Sequence, residues 1–237
     1  MRGWPAYRAA GIRGIVTIAA AAIVSVWAGA LAARAATNSI TSQSPSAILG
    51  AATSAIDRVS AVHVAGSGVA NGTSLSLDLH LVAGKGGEGT VALGGLSFQF
   101  VVIGNEGYFK ASAAFWKRYT NPTVAQLVQN RWFKAPTAGG FASFAEFANI
   151  HELFSGLLGS HGTLAKGQLT TVRAQRVIPL IDKTGGGTLY VAATGKPYPV
   201  EIANTGRHGL IVIDDIGQAV SLIAPSDALN ISQLEKG

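Results

Sequence analysis

The sequence predicts an α+β fold in which one strongly curved antiparallel β-sheet of about ten strands forms a half-barrel covered by helices. Two groups of segments alternate apolar and polar residues, which is the period of a half-buried strand. A stretch with helical spacing separates the two groups. Glycine supplies 30 of the 237 residues and often lies inside or beside the strands, where it permits strong bending. A sheet of this size tends to curl.

The first 35 residues predict a targeting segment. An arginine-bearing start precedes residues 14–33, which carry no charge and are just long enough to span a bilayer. Ala33-Arg34-Ala35 offers small residues at the −3 and −1 positions of a cleavage site. Two alternatives stay open: a cleaved signal peptide and a retained signal anchor. Both predict export across the cytoplasmic membrane to the cell envelope, the periplasmic space or the medium.

Residues 36–45 are rich in Ser and Thr and predict a flexible linker before the folded domain, residues 46–237. The domain is predicted to begin with an amphipathic helix over about residues 46–60. Ser44 suits the N-cap of that helix, and Pro45 suits its first position. The apolar residues at helical spacing are Ile48, Leu49, Ala52, Ile56 and Val59.

Five strands joined by tight turns are predicted between about residues 61 and 111, as an antiparallel meander. The clearest of them alternates leucine with polar residues from Leu75 to Leu81. Turn residues are concentrated at 84–89 and 104–107.

A helical insert is predicted over residues 112–160. An apolar stripe at helical spacing runs from Phe141 to Leu158 and is expected to break at Asn149 or His151. The smaller predicted pieces are two short helices and one extended stretch, at 112–119, 122–129 and 131–134. About five strands then complete the sheet. They are predicted at 171–181, 188–193, 198–204, 210–214 and 219–223.

Composition excludes several classes of function. The chain has no cysteine, which excludes disulfides, thiolate metal sites and a cysteine nucleophile. The net charge of +6 is concentrated at the N-terminus, because the first 35 residues hold four of the 18 basic residues and none of the 12 acidic ones. The remainder carries only +2, so we expect no nucleic-acid partner.

No motif for catalysis or metal binding stands out. Gly84 to Gly89 matches G-x-G-x-x-G, but a strand follows it instead of a helix, so the segment predicts a hairpin turn. The five histidines form no helical ligand pair, and there is no G-x-S-x-G elbow. Asp78 and His80 share one strand face and are interpreted as a solvated pair. We therefore expect no enzyme, no cofactor and no metal.

Five segments, taken in order, resemble the LppX/LprAFG-type lipoproteins of mycobacteria and related actinobacteria. The resemblance covers roughly residues 46–234 and depends on the order of the segments, because none of them is catalytic or highly specific. It implies a LolA/LolB-like curved sheet whose helices close over a hydrophobic cavity, and a protein that binds acylated lipids or glycolipids and moves them across the cell envelope. The segments are Leu81 to Gly87, Tyr108 to Lys110, Arg131 to Lys134, Gly187 to Val191 and Gly195 to Pro199.

One departure from that family concerns anchoring. Its members end their signal with a lipobox cysteine that becomes acylated, whereas residues 28–35 here contain no cysteine. A lipid anchor at that position is therefore impossible. The protein is expected either to be released or to be held by residues 14–33.

The resemblance implies a binding site for acyl chains between the sheet and the insert. We predict a sheet wall on one side and either a helical wall or the entrance on the other. The expected partners are an acylated lipid or glycolipid, the membrane surface, and a lipid exporter or other envelope protein. The predicted sheet wall is Leu77, Leu79, Leu81, Val91, Leu93, Phe98, Phe100 and Val102. The predicted helical wall is Phe144, Phe147, Phe154 and Leu158.

Two rival functions remain. A non-carrier envelope module with a filled core would bind another protein and would show an exposed apolar patch without a cavity. An enzyme acting on envelope lipids would bring His63, His80 or His208 together with a serine and a carboxylate in one cleft.

Overall fold

The computed structural model describes residues 38–70, 72–119, 122–137, 145–204 and 209–230. All of them belong to one compact unit, Ala35–Gly237. The predicted targeting segment, residues 14–33, lies outside the described residues. Within the described ranges, no helix is both long enough and apolar enough to cross a membrane.

Helix α1 spans Pro45–Ile56 and begins where the sequence predicts. The Ser44 hydroxyl oxygen accepts a hydrogen bond from the Ala47 backbone N–H at 3.3 Å, so Ser44 is the N-cap. The buried face of the helix consists of Ile48, Ala52 and Ile56.

The segment before α1 differs from the predicted flexible linker. Residues Ser39–Ser42 form a 3-10 helix, and the Ile40 side chain within it is buried. The Asn38 backbone N–H donates to the carbonyl of Ala193 at 2.7 Å. The prediction was wrong here because it relied on the Ser/Thr-rich composition of the whole segment. One apolar side chain within it, Ile40, packs into the core and holds the segment there.

The first five strands form the predicted meander. Each pairs antiparallel with the next. They are β1 (Ala61–Ala70), β2 (Thr73–Val82), β3 (Gly86–Leu93), β4 (Leu96–Ile103) and β5 (Glu106–Ala111).

The described part of the insert contains three helices and one strand. The predicted break in the apolar stripe occurs at Asn149, whose side-chain oxygen accepts from the Glu152 N–H at 3.2 Å and caps the last helix. The segment predicted as extended contributes a strand to the sheet. The elements are α2 (Ala113–Tyr119), α3 (Pro122–Val128), β6 (Phe133–Pro136) and α4 (Ile150–Gly159).

The second group of strands departs from prediction in two places. The expected strand at 171–181 is a hairpin, because Arg173 and Ala174 have φ of 47° and 62° and turn the chain. Residues 219–223, expected to be a strand, are described and form none. The observed strands are β7 (Leu164–Lys166), β8 (Thr170–Val172), β9 (Gln175–Asp182), β10 (Gly187–Ala192), β11 (Pro199–Asn204), β12 (Gly209–Asp214) and β13 (Leu229–Asn230).

The 13 described strands join one large, curved, unclosed sheet, so the α+β prediction is confirmed. The order is β13-β6-β5-β4-β3-β2-β1-β12-β11-β10-β9-β7, and β8 pairs with β9. The short pair of β13 with β6 is parallel, and the other described pairs are antiparallel. Strand β1 joins the two groups of strands, since it pairs with β2 on one side and with β12 on the other.

One apolar core lies between the helices and one face of this sheet. It contains Ile48 and Ile56 of α1, Phe154 of α4, and the inward-facing leucines of β2. Because side chains alternate along a strand, the opposite face of β2 presents Ser74, Ser76 and Asp78 to solvent. We call that face the outer face.

Candidate functional site

The predicted sheet wall is almost entirely buried. Leu93 is the exception, because it lies beside the β3–β4 turn and is 46% exposed. Leu79, Leu81 and Val91 have no exposed surface, so in this structure they contact protein atoms and adjoin no space large enough for water. The buried members are Leu77, Leu79, Leu81, Val91, Phe98, Phe100 and Val102.

Aromatic side chains fill the space over this half of the sheet. The Phe98 ring lies 6.0 Å from the Phe115 ring of α2 and 6.2 Å from the Phe147 ring, between centroids. A second group joins β5, β6 and α2, with the Trp116 ring 5.5 Å from Phe109 and 5.6 Å from Phe133. Rings at these distances form ordinary aromatic packing.

The helical wall is divided between two environments. Phe154 is fully buried and belongs to the core, whereas Phe147 is partly buried. Leu158 of α4 is buried against the sheet. Phe144 lies outside the described residues.

An apolar cleft of about 90 Å³ opens on the other half of the sheet. It lies between helices α1 and α4 and strands β7, β9, β10 and β11. We call it the apolar cleft. Its apolar lining is Leu49, Leu157, Leu158, Leu164, Leu180, Leu189 and Ile202. Only Leu158 among these belongs to the predicted site.

Sequence reasoning missed the other lining residues because they come from distant segments. Leu180 and Leu189 face each other across the β9–β10 pair, and Ile202 lies opposite Leu189 on β11. Strand alternation in each segment would have assigned an inward face. The packing of α1, with Leu49, against this face cannot be predicted from any single segment of the sequence.

The rim of the apolar cleft is polar. Asp182, at the end of β9, accepts from the Thr184 backbone N–H at 2.8 Å. Hydrogen bonds from the backbone N–H groups of Gly185 and Thr184 hold the pKa of the Asp182 carboxyl below its usual value. The rim therefore carries a fixed negative charge beside an apolar interior. Ser160, His161 and Thr188 complete it.

Two further depressions lie near the insert. A groove of about 230 Å³ follows α4 and is lined partly by Phe147, Leu153 and Leu157, so Leu157 contributes to both this groove and the apolar cleft. A wider one of about 470 Å³ lies beside the turns after β2 and β4. Its lining mixes Lys85, His151 and other polar groups with backbone, and Val102 is its single member from the predicted sheet wall.

A histidine–aspartate cluster occupies the outer face. His63 of β1 lies between two carboxylates: its Nδ1 is 2.7 Å from Asp214 Oδ1, and its Nε2 is 3.0 Å from Asp78 Oδ1. The ring of His80 stacks on the ring of His63, with centroids 4.3 Å apart. Asp78 and His80 share a face as the sequence predicts, but they belong to a larger group that includes β12.

Burial lowers the pKa of His63, but the hydrogen bonds and charges of Asp78 and Asp214 outweigh that effect and raise it above its usual value. Among the described residues, the hydrogen-bond partners of the His63 ring are these two carboxylates and no serine hydroxyl. His208 lies outside the described residues.

Comparison with known proteins gives a likeness in fold. No family model matches the sequence, and no curated protein matches it. The structure of LprF from Mycobacterium bovis superposes with a TM-score of 0.51 at 12% identity, covering 80% of this chain and 99% of LprF.

Two other solved structures are less similar. An uncharacterised conserved protein from Thermus thermophilus gives a TM-score of 0.40 at 11% identity over 80% of this chain and 99% of that one. A DUF1329 family protein from Desulfovibrio piger gives 0.26 at 8% identity over 76% and 96%. The chain has the fold of LprF: a large, curved, unclosed antiparallel sheet with a few helices.

Proposed function

We propose that the protein binds the acyl chains of an envelope lipid or glycolipid and carries that lipid within the cell envelope, as a relative of the LppX/LprAFG-type lipoproteins without their lipobox. The observation that carries the proposal is the apolar cleft, which is bounded by two helices and the sheet of an LprF-type fold. Seven leucine and isoleucine side chains line it, and its polar groups lie at the rim. That is the arrangement of a site for an apolar chain with a polar end.

A carrier needs such a site because water solvates hydrocarbon poorly. Exposing a chain of roughly sixteen carbons costs on the order of 12 kcal/mol, at about 0.8 kcal/mol per CH₂. The cleft of about 90 Å³ is smaller than the roughly 300–1,000 Å³ of ordinary ligand pockets. Loading therefore requires the cleft to widen. Leu157 is the residue we expect to shift on loading, because it lines both the cleft and the groove along α4.

The proposed carrier performs no reaction. Transfer follows relative affinity and mass action, so the mechanism requires no cofactor. Export by the targeting segment would bring the protein to the compartment in which envelope lipids are moved. Its expected partners there are the membrane surface and an exporter or envelope protein that loads or receives the lipid.

Native mass spectrometry of the full chain tests the proposal. The chain is incubated with vesicles of dipalmitoyl phosphatidylglycerol, and bound lipid is counted per chain. Residues 14–33 could retain lipid themselves, so the informative comparison is between variants of the same full chain. We expect one retained lipid in the wild type and at least about tenfold less in Leu157→Trp, whose larger side chain occupies the cleft.

The matched control is Ile223→Trp, which adds an aromatic ring at a residue that is 74% exposed and outside the cleft. It should retain lipid like the wild type. A wild type without lipid, or a Leu157→Trp variant with undiminished lipid, would rule out the cleft as the site.

One observation favours the rival function of an envelope module with a filled core. Leu79, Leu81 and Val91 have no exposed surface, so the parts of β2 and β3 that carry them offer no room for a guest. If the wild type stays free of lipid even after incubation with a membrane extract, this rival becomes the better account.

A further inference from the structure

We propose that the outer face of the sheet carries a zinc site formed by His63, Asp78 and His80, separate from the apolar cleft. One ligand atom from each of the three side chains lies within 4.8 Å of the other two. The group brings together two imidazoles and one carboxylate, which are donors that zinc prefers.

Strand register produces this group. His63 of β1 lies directly opposite His80 of β2, and Asp78 lies two residues before His80. Because side chains two residues apart on a strand share a face, Asp78 and His80 both project beside His63. The core face of the same strand carries Leu77, Leu79 and Leu81, which fixes the register and therefore the outer group.

A fourth residue orients the central ligand. Asp214 of β12 lies opposite His63 on its other side, and its Oδ1 is 2.7 Å from His63 Nδ1. When Nδ1 carries the proton and donates it to Asp214, the Nε2 lone pair points toward Asp78. A carboxylate behind a ligating histidine is the usual support of a zinc ligand, since it fixes the tautomer and raises the basicity of the ring.

One ligand–ligand distance suits zinc, and the His80 ring must rotate out of its stack on His63 before both imidazoles can reach the same ion. His63 Nε2 and Asp78 Oδ1 are 3.0 Å apart. Tetrahedral ligand atoms at bonds of about 2.0 Å lie about 3.3 Å apart. Within the described part of the chain, the His80 ring has a stacking contact and no hydrogen bond to break. Three protein ligands leave the fourth position open to water or to a further ligand.

A second donor set competes for the same histidine. His63, Asp214 and Asp215 also place one ligand atom each within 4.8 Å of the others. That set has only one imidazole, and it would use Nδ1 instead of Nε2. Calcium and magnesium require oxygen ligands, so a histidine-rich set selects against both. We therefore assign the site to zinc and to the set that contains both histidines.

Isothermal titration of the metal-free full chain with zinc chloride tests this assignment. We expect one zinc ion per chain with a dissociation constant in the micromolar range or tighter, and no heat with calcium or magnesium. His80→Ala and Asp78→Asn should each weaken zinc binding at least about 100-fold. Asp214→Asn should weaken it about 10–100-fold, as expected for a residue behind a ligand.

The matched control is His151→Ala. His151 also lies beside a carboxylate, with Nδ1 3.2 Å from Asp57 Oδ1, but it belongs to neither three-residue group. It should bind zinc like the wild type, and circular dichroism should show every variant folded. The proposal would be overturned if the wild type bound no zinc at a zinc concentration of about 100 µM, at which even a weak surface site would begin to fill. Unchanged affinity in folded His80→Ala would overturn it too, as would loss of zinc in Asp215→Ala with retention in Asp78→Asn.

Discussion

The two halves of the sheet are covered in different ways. Over β2–β5 the cover is aromatic, and rings such as Phe98 and Phe115 lie close enough to leave no gap. Over β9–β11 the cover is aliphatic, and the leucines of α1 and α4 leave the apolar cleft. One continuous sheet therefore carries a half that is packed with aromatic rings and a half that leaves a cleft. The proposed guest molecule would enter the half with the cleft, which is the half that the sequence did not single out.

The largest expected effect on stability is in the half of the sheet formed by β2–β5, which we call the aromatic half; β9–β11 form the aliphatic half. Phe100→Ala should lower the free energy of unfolding by about 3–5 kcal/mol, because Phe100 is 1% exposed and its loss leaves a cavity. Leu157→Ala, in the aliphatic half, should cost about 1 kcal/mol, because Leu157 is only partly buried. Urea unfolding measures both values. As a control, Gln99→Ala on the exposed face of β4 should change stability by less than about 0.5 kcal/mol. Equal losses for Phe100→Ala and Leu157→Ala would break the comparison.

Enlarging a buried side chain should also destabilise the aromatic half of the sheet more than the aliphatic half. Val91→Phe inserts a ring where no exposed surface remains, and should cost about 1–3 kcal/mol. Leu157→Phe adds a ring at the edge of the apolar cleft, and should cost less than about 0.5 kcal/mol. Thermal unfolding of the two variants in parallel gives the difference. A Leu157→Phe variant as unstable as Val91→Phe would mean that the cleft is already closed.

Two glycines provide a finer comparison. A Cβ at Gly89 of β3 would lie 2.2 Å from the Asp78 carbonyl oxygen, so Gly89→Ala should destabilise the protein by about 1–3 kcal/mol. A Cβ at Gly156 of α4 would meet nothing within 4 Å. Gly156→Ala should therefore stabilise the protein by about 0.5–1 kcal/mol through helix propensity. Chemical denaturation should show that the free energy of unfolding falls in Gly89→Ala and rises in Gly156→Ala. A change of the same sign in both variants would contradict this expectation.

The smallest effect concerns the rim of the cleft. Backbone donors at Gly185 and Thr184 lower the pKa of Asp182 in the folded protein, so its carboxylate stabilises the fold at pH values above its pKa in the unfolded chain. That contribution is lost as the pH falls through the folded pKa. Asp182→Asn should accordingly be slightly less stable than the wild type at pH 7, and equal to it once the pH is below both values. A difference that persists in acid would point to a lost contact instead of a lost charge.

The sequence predicted an element correctly where the residues that determine it lie close together in the chain. The Ser44-Pro45 start of α1, the alternation of β2 and the cap at Asn149 all depend on neighbours a few residues away. The predicted strand at 219–223 failed for a reason that is not local. Strand β12 already pairs with β1 and β11, so residues 219–223 cannot pair beside it, and Ile223 is 74% exposed.

The candidate sites were harder to predict than the elements. The sequence identified which side chains of β2–β4 point inward, but it could not show that aromatic rings from α2 and from the segment around Phe147 fill the space above them. It also paired Asp78 with His80 on one strand face, but it did not join His63 to them. Their meeting depends on the β1–β2 register and, for Asp214, on pairing between residues 151 positions apart.

That long-range pairing has a consequence for how the chain reaches its native state. Strands β1–β5 can form from neighbours as soon as they emerge, but the free side of β1 must wait for β12. Until then, β1 presents an unsatisfied row of amides and carbonyls to any other strand in the vicinity. Folding should therefore be limited by the late arrival of β12, since contacts between distant parts of a chain form more slowly than those between neighbours.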